Sequence, residues 1–351
     1  MLMNSQIKKI TKYRLFWPLV CLCAVLVVNL IRTPNFFNIS INSNGVLYGY
    51  LIDIINRSSE LIILAAGMTV CVASSAGTDI SVGSVMAVTG AVTCFLLGTG
   101  DAYNIPYILA VLVGILAATA CGAWNGFLVA KMKIQPMVAT LILFTAGRGI
   151  AQLITGGNIL YMKVKNFKYL GSVLPGVPLP TPIFVAAAVV ILTSVLLRKS
   201  ALGMYIQSVG INAKASRLIG LNSTLIIFLT YAFCGMCSGI AGTIATSRIY
   251  SIDANNVGLN MEMDAILAVA LGGNSLAGGK FSLAGSVIGA ITIQALSTSL
   301  YSMGVSADQL PVYKAIVVII IVSLQSKQFK KFFKNFSQKQ KINNAGEKVT
   351  Q

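Results

Sequence analysis

The chain has 351 residues, of which 56% are hydrophobic and only 10% are charged, and its formal net charge is +17. A soluble domain of this length needs roughly a quarter of its residues charged to cover its surface, so the composition excludes a soluble protein. We therefore predict an all-α, polytopic integral membrane protein that buries its apolar surface in lipid.

Apolar segments follow one another along the chain, each near or somewhat short of the roughly 20 residues that cross a bilayer. They lie at about 15–31, 54–74, 79–98, 106–130, 137–155, 181–197, 224–245, 263–276, 282–300 and 312–325. These segments predict about ten transmembrane helices, with the N and C termini both cytoplasmic. The whole chain, 1–351, is then a single transmembrane domain, with a basic N-terminus (1–14), a membrane bundle (15–326) and a basic tail (327–351).

Basic residues cluster at the ends of these segments, where ten crossings would put all of them on the cytoplasmic side. They are Lys8, Lys9, Lys12, Arg14, Lys131, Lys133, Arg198, Lys199, Lys327, Lys330, Lys331 and Lys334. Topology explains the net charge better than a nucleic-acid partner does, and we predict no such partner. The first apolar segment, 15–31, is longer than a usual signal-peptide core, so we predict a membrane span there.

Two junctions between predicted spans are too short for ordinary loops. They are Gly77-Thr-Asp79 and Gly272–Lys280, and each contains glycines that can break a helix. Broken or re-entrant helices are the alternative to two full crossings at 74–80 and 272–280.

A charged group near the bilayer centre costs on the order of 2.5–3.5 kcal/mol, so each one needs an explanation. Asp79, Arg148 and Asp264 fall in predicted spans, and a pairing of Arg148 with either acid stays open. Asp79 lies beside glycines that would leave backbone donors free, which favours a fold-organising role over a proton relay. The residues of the membrane region that we consider candidates for the translocation path are Asp79, Ser81, Gly83, Asn125, Arg148, Gln152, Asp264 and Asn274. Arg57 and Glu60, one turn apart, are predicted to pair with each other.

Small residues and thiols have structural explanations. Glycines four residues apart at Gly122/Gly126, Gly235/Gly239 and Gly285/Gly289 predict close helix contacts. The seven cysteines lie in apolar segments and indicate no disulfides, and Cys234 and Cys237 are interpreted as structural despite their redox-motif spacing. The chain has no histidine, the commonest general base, so we predict neither an enzyme nor a cofactor or metal site.

The segment Arg198–Asn222 is a well-punctuated polar stretch between two long apolar segments. Asn212 can cap a helix over Ala213–Leu218, and Gly220 stands where a glycine ends one. The alternative is an ordinary basic loop, but a short rigid helix on the cytoplasmic side is typical of a docking element. Its candidate residues are Gly210, Asn212, Ala213, Ala215, Arg217 and Gly220. Gly273–Lys280 fails the spacing of a phosphate loop, so an ATP-driven step requires a partner.

Several motifs together resemble one family. Gly77–Gly90, Trp124-Asn-Gly126, Ile134–Leu141, Gly147-Arg-Gly149, Ile154–Gly157 and Leu271–Gly279 are similar to the permease subunits of ribose-type sugar ABC importers, over about residues 50–326. Within that family, Asp53–Arg57, Arg198–Met204 and Asp253–Gly258 most resemble galactofuranose-type permeases. Thr78, where the family usually has a bulky aliphatic residue, and the lysine-rich tail depart from the pattern.

The resemblance implies the membrane-spanning permease of a monosaccharide importer in the bacterial inner membrane, with galactofuranose or a ribose-like sugar as substrate. It implies two permeases around a central path, as a homodimer or a heterodimer, together with cytoplasmic ABC ATPase subunits and an extracytoplasmic sugar-binding protein. It also implies that 210–221 is the coupling helix that contacts the ATPase. The alternative is an ion-coupled secondary transporter, in which Asp79 or Asp264 would carry the ion.

Overall fold

The computed structural model describes residues 15–32, 36–42, 45–100, 102–163 and 165–325. The predicted basic N-terminus and basic tail lie outside these residues. Within them the chain forms twelve α-helices and four short strands. The helices are α1 Phe16–Arg32, α2 Tyr50–Ser75, α3 Val82–Leu97, α4 Tyr107–Ala130, α5 Pro136–Thr155, α6 Thr181–Lys199, α7 Leu202–Ile211, α8 Ala213–Leu218, α9 Ser223–Ile249, α10 Met261–Leu271, α11 Leu283–Ser302 and α12 Leu310–Gln325.

The strands form two minimal antiparallel pairs. β1 (Ser40–Ile41) pairs with β2 (Leu47–Tyr48), and β3 (Leu160–Tyr161) pairs with β4 (Ser251–Ile252). The second pair joins the connection after α5 to the connection after α9, and a 3₁₀ helix at Lys165–Leu170 follows β3. The first pair lies within the single connection between α1 and α2, and among the described residues neither pair belongs to a larger sheet.

All ten predicted apolar segments overlap a helix, which confirms the mostly helical class. Among the described residues, six helices are long and apolar enough to cross a membrane: α2, α4, α5, α6, α9 and α11. Helices α1 and α3 are shorter apolar helices, and α10 has only 11 residues. The number of crossings and the orientation of the termini therefore remain predictions. So does the single domain, since the chain divides into two compact units between Thr298 and Ser299.

The first unit is built around α2 and α3, its two most buried helices, and around α9, which packs on both. In α3, 13 of 16 residues are buried, so this helix is surrounded by protein on nearly every side. Helix α9 packs along α4, α2 and α3, and α5 packs on α3. The described part of the second unit contains the last residues of α11, from Ser299 onward, and the whole of α12.

The predicted glycine contacts are confirmed. A Cβ added to Gly122 would lie 2.8 Å from Gly235 Cα, and one added to Gly235 would lie 2.5 Å from the Ala118 carbonyl oxygen, so α4 and α9 touch backbone to backbone. A Cβ on Gly289 would lie 2.1 Å from the Ala268 carbonyl oxygen, which puts α10 equally close to α11. Without a hydrophobic driving force in lipid, such close approach supplies the dispersion contacts that hold helices together.

One predicted ion pair is wrong. Arg57 pairs with Asp53, one turn before it, at 2.8 Å, and both side chains are largely exposed. Glu60 instead accepts from Arg248 Nε at 3.0 Å, which links α2 to the end of α9. The i, i+3 spacing was compatible with pairing, but the Glu60 side chain points into the bundle while Arg57 lies on its surface. None of the seven cysteines, all of which lie within the described residues, forms a disulfide bond.

Candidate functional site

The segment between α6 and α9 contains two consecutive helices. The predicted helix over Ala213–Leu218 is present as α8, and its cap is as predicted. The Asn212 side-chain oxygen accepts from the backbone N–H of Lys214 and of Ala215, both at 3.0 Å. Two of the otherwise unpaired donors at the start of α8 are thereby satisfied.

The end of α8 has the hydrogen bonds of a Schellman motif. The Leu221 N–H donates to the Ser216 carbonyl and the Gly220 N–H donates to the Arg217 carbonyl, both at 3.0 Å. Gly220 has φ +89°, a left-handed conformation that costs glycine little and other residues more. The chain then turns into α9, whose own cap is Asn222.

Arg217 links α8 to the start of α9. Its Nε donates to Ser223 Oγ at 2.5 Å and its Nη2 donates to Thr224 Oγ1 at 2.9 Å. Six residues form a marginal helix on their own, so both caps and this arginine are needed to hold α8 in place. Arg217 therefore has a structural role within the segment in addition to its charge.

Large apolar side chains are exposed around this polar helix. Leu218 is 90% exposed, Ile219 is 75% exposed and Ile211 is 67% exposed, while Ala215 and Lys214 are exposed beside them. We call Ile211, Leu218 and Ile219 the α8 patch. The sequence analysis did not single out these residues, although two of them immediately precede the terminating glycine. Exposed apolar side chains on a polar segment are typical of a surface that a partner protein or a membrane covers.

Gly210 lies in α7 rather than in α8. A Cβ added there would be 1.7 Å from the Ala73 carbonyl oxygen at the end of α2, and 2.8 Å from the Gly279 nitrogen. Gly210 therefore allows α7 to approach α2 and the 272–282 connection. Among the predicted docking residues, Gly210 therefore has a packing role, and its replacement would displace α7 from α2 whether or not the segment docks on a partner. Helix α7 itself was not predicted. It follows the apolar segment of α6 after a break at Ser200, and its ten residues are too few to form a span of their own.

Asp79, Ser81 and Asn125 come together in a buried cluster. Asp79 is 1% exposed and lies in the connection between α2 and α3, before α3 begins. Its Oδ1 accepts from the backbone N–H of Ser81 at 3.0 Å and from Ser81 Oγ at 2.6 Å, and Asn125 Nδ2 on α4 reaches it at 3.4 Å. Asn125 Nδ2 also donates to Ser81 Oγ at 2.9 Å. The carboxyl group thus organises the start of α3, but its donors belong to Ser81 and Asn125 rather than to the neighbouring glycines.

Arg148 contacts neither Asp79 nor Asp264. Its Nη1 donates to the carbonyl oxygens of Ala254 and Val257, which belong to the connection between α9 and α10. The acids whose charges act on it are Glu262 and Asp253. One helical turn further along α5, Gln152 Nε2 donates to Asn255 Oδ1 in the same connection. Two polar side chains of α5 therefore hold the 253–257 stretch against this helix.

Gly83 lies under that connection. A Cβ added to it would be 2.2 Å from Glu262 Oε2 and 2.3 Å from the Gly258 carbonyl oxygen. Glu262 is 2% exposed, and its Oε2, like Arg148 Nη2, has no hydrogen-bond partner among the described residues. Glu262 was missed by the sequence analysis because it precedes the predicted eighth span. Its position directly before that apolar segment was the available signal.

Asp264 and Asn274 lie elsewhere. Asp264 is half-buried in the first turn of α10. Asn274 bridges the connection between α10 and α11: its Oδ1 accepts from the Ser282 N–H at 2.5 Å, and its Nδ2 donates to Ser286 Oγ at 2.8 Å. Thr69 Oγ1 on α2 donates to the same Ser286 hydroxyl at 2.6 Å. Asn274 is therefore a local organiser of this connection, as Asp79 is of the other one.

Comparison with known proteins gives a consistent picture over most of the chain. A family model described as "branched-chain amino acid transport system / permease component" matches residues 50–324. The galactofuranose transporter permease protein YtfT of Escherichia coli K12 is 45% identical over 323 residues, which cover 91% of this chain and 93% of that protein.

Two further relatives have other sugars in their names. The fructose import permease protein FruF of Bifidobacterium longum is 38% identical, over 97% of this chain and 95% of its own length. The ribose import permease protein RbsC of Escherichia coli K12 is 34% identical, over 88% of this chain and 93% of its own length. Each of the three alignments covers at least 88% of this chain and therefore includes the region from α2 to α9.

Proposed function

The chain belongs to the family of transport-system permease components, and from that premise we propose that it forms the membrane path of an ATP-driven sugar importer. The substrate is a monosaccharide, galactofuranose or a ribose-like sugar, since the similar permeases carry the names of sugars. The chain acts in the bacterial inner membrane with a second permease, cytoplasmic ABC ATPases and an extracytoplasmic sugar-binding protein. It hydrolyses no ATP itself.

The observation that carries this proposal is α8 and its patch. The helix is capped at both ends and fixed by Arg217, and it exposes Leu218 and Ile219 beside Lys214 and Ala215. A rigid element of this kind transmits force, because it moves as one body with the helix that follows it. We propose that it is the coupling helix, which the ATPase cleft covers and moves as ATP binds and is released.

The path itself is proposed to run along the exposed face of α5. Thr145, Gly149 and Gln152 are all exposed, and their spacing of four and three residues puts them on one face of the helix. A stripe of this kind is unfavourable against lipid, because an amide such as Gln152 loses its hydrogen bonds to water there. It suits a surface that faces a second permease across a hydrated path. Arg148, which borders the stripe, holds the 253–257 stretch over one end of it.

The alternative of an ion-coupled transporter rests on Asp79 or Asp264 as the ion carrier. Asp79 accepts hydrogen bonds from Ser81 and Asn125 in a fully buried cluster, an arrangement that suits a fixed structural carboxyl group. No observation favours Asp264 over the acids that face Arg148. We therefore keep the ATP-driven function as the single proposal.

The test is purification of the tagged chain from native membranes in mild detergent, followed by identification of the co-purifying proteins. We expect an ATPase with a phosphate loop, and we expect Leu218→Glu to lose it while the permease stays in the membrane at its normal level. Met132→Glu is the matched control, since Met132 is also a large exposed apolar side chain, at the end of α4. A chain that purifies alone and takes up sugar in liposomes under an ion gradient would overturn the proposal.

A further inference from the structure

Helices α2, α6, α7 and α9 enclose a cavity of ≈ 170 Å³ in the first unit. Its floor is formed by Val70 on α2 and Ile206 on α7, which belong to one buried apolar cluster. Leu196, Leu202 and Leu229 form its rim, and all three are exposed. The cavity is therefore open on the side where these helices meet the lipid.

The lining offers no polar group to an occupant. Its two hydroxyls belong to Thr193 and Thr230, and both are used within the protein. Thr193 Oγ1 donates to the Val189 carbonyl at 2.7 Å. Thr230 Oγ1 donates to the Ile227 carbonyl at 2.8 Å and shares a further hydrogen bond with Ser74 Oγ. Water needs polar partners to remain in a cavity, so the occupant of this one is apolar.

The volume suits part of one hydrocarbon chain. An apolar cavity of about 150 Å³ holds a benzene molecule, six carbons in size. A cavity of ≈ 170 Å³ thus holds a similar length of acyl chain. Left empty, its walls would lose the dispersion contacts that a filled cavity supplies.

Charge identifies the headgroup. Arg198 and Lys199 are exposed and stand in the chain between Leu197 and Leu202, which both line the cavity. Transfer of a lipid chain from the bilayer to an apolar cavity changes its surroundings little, so selectivity must come from the headgroup. We propose that this cavity is a binding site for an anionic phospholipid, with part of one acyl chain inside it and its phosphate on Arg198 and Lys199.

The site adjoins the segment that leads to α8. Leu202 and Ile206 are on α7, which ends at Ile211, directly before the Asn212 cap. A chain in the cavity would pack against one side of α7 while Gly210 keeps its other side on α2. Bound lipid therefore steadies α7 and, through it, the position of α8. This consequence is independent of the substrate and of the ATPase.

The experiment is native mass spectrometry of the purified chain after reconstitution in nanodiscs of phosphatidylcholine with and without phosphatidylglycerol. We expect one retained phosphatidylglycerol, and roughly thirty-fold weaker retention in the double variant Arg198→Gln/Lys199→Gln, since each basic residue near an anionic surface contributes about 1 kcal/mol. Lys131→Gln/Lys133→Gln removes the same charge at the end of α4 and should retain the lipid. Equal losses in the two double variants would mean general surface attraction and would overturn the site.

A second pair of variants tests the cavity. Leu196→Trp should fill it and displace the lipid, whereas Ile191→Trp, on an exposed position of the same helix that does not line it, should not. Hydrogen exchange in 202–211 should be slower with phosphatidylglycerol present in the wild type only. Retention of phosphatidylcholine as firmly as phosphatidylglycerol, or lipid retained in Leu196→Trp, would refute the proposal. Neither readout uses transport, so a failed transport function would leave this test intact.

Discussion

The cap of α8 allows a quantitative prediction for Asn212→Ala. The substitution removes one acceptor that serves two backbone donors, those of Lys214 and Ala215. Loss of a cap of this kind costs about 1 kcal/mol, and 1.4 kcal/mol corresponds to a factor of ten. The population in which the first turn of α8 is open should therefore rise about five-fold.

The cost should remain local, because in α8 only Ser216 is buried and Ala213 half-buried, while the other residues are exposed. Hydrogen–deuterium exchange of the peptide that contains 213–218 should become about five-fold faster, while exchange in α2 and α9 stays unchanged. Under the proposed function, ATP-driven uptake should fall at a normal membrane level of the protein, since a frayed helix transmits force poorly.

Two substitutions serve as controls. Asn212→Asp keeps an acceptor at the cap and places a negative charge at the helix start, so exchange should stay near that of the wild type. Asn222→Ala removes a single bond, to the Leu225 N–H at 3.0 Å, at the start of the much longer helix α9. Unchanged exchange in Asn212→Ala, or an equal increase in Asn212→Asp, would refute the assignment of α8 stability to this side chain.

Three further variants test the packing, the ion pairs and the path. Gly235→Leu should destabilise the bundle by about 1–3 kcal/mol or more and lower the melting temperature in detergent, because even its Cβ would be 2.5 Å from the Ala118 carbonyl oxygen. Gly149→Ala should leave the melting temperature unchanged, because a Cβ added there has no atom within 4 Å. Arg248→Gln removes the partner of Glu60 where the two side chains are only 20% and 14% exposed, so it should lower the free energy of unfolding by about 2–3 kcal/mol. Arg57→Gln breaks an ion pair whose side chains are 58% and 43% exposed, so it should change that free energy by no more than about 0.5 kcal/mol. Similar losses of stability in the two variants would contradict the argument from burial. Gln152→Leu should reduce sugar uptake without lowering the membrane level, and an unchanged rate would remove α5 from the proposed path, with the neighbouring Leu153→Ala as control.

The helices were largely predictable because their signals are local. Each apolar segment overlaps a helix, and the prolines at 106, 136, 182 and 311 stand at or near helix starts, where their missing N–H costs nothing. The Asn212 cap and the Gly220 terminus involve residues two to five positions apart, which a sequence displays directly. The family resemblance, which the family model and the named relatives confirm, also depended on short contiguous motifs.

Partners far apart in the chain were not predictable. Glu60 pairs with Arg248, 188 residues away, and Arg148 binds the carbonyl of Val257, 109 residues away. The sequence offered nearer partners of the right charge for both, and neither is used. Helix orientation about its own axis decides such pairs, and that orientation depends on how glycines such as Gly83 and Gly122 let neighbouring helices approach.

The sequence by itself determined the membrane class, the order of the helices, the caps of α8 and the permease family, because hydropathy and backbone punctuation act over a few residues. Only the tertiary structure decided that Arg148 and Gln152 hold one connection, that Glu262 is buried above Gly83, and that an apolar cavity adjoins α7. The physical reason is that these features arise where separate helices pack, and each depends on the shapes of several helices at once.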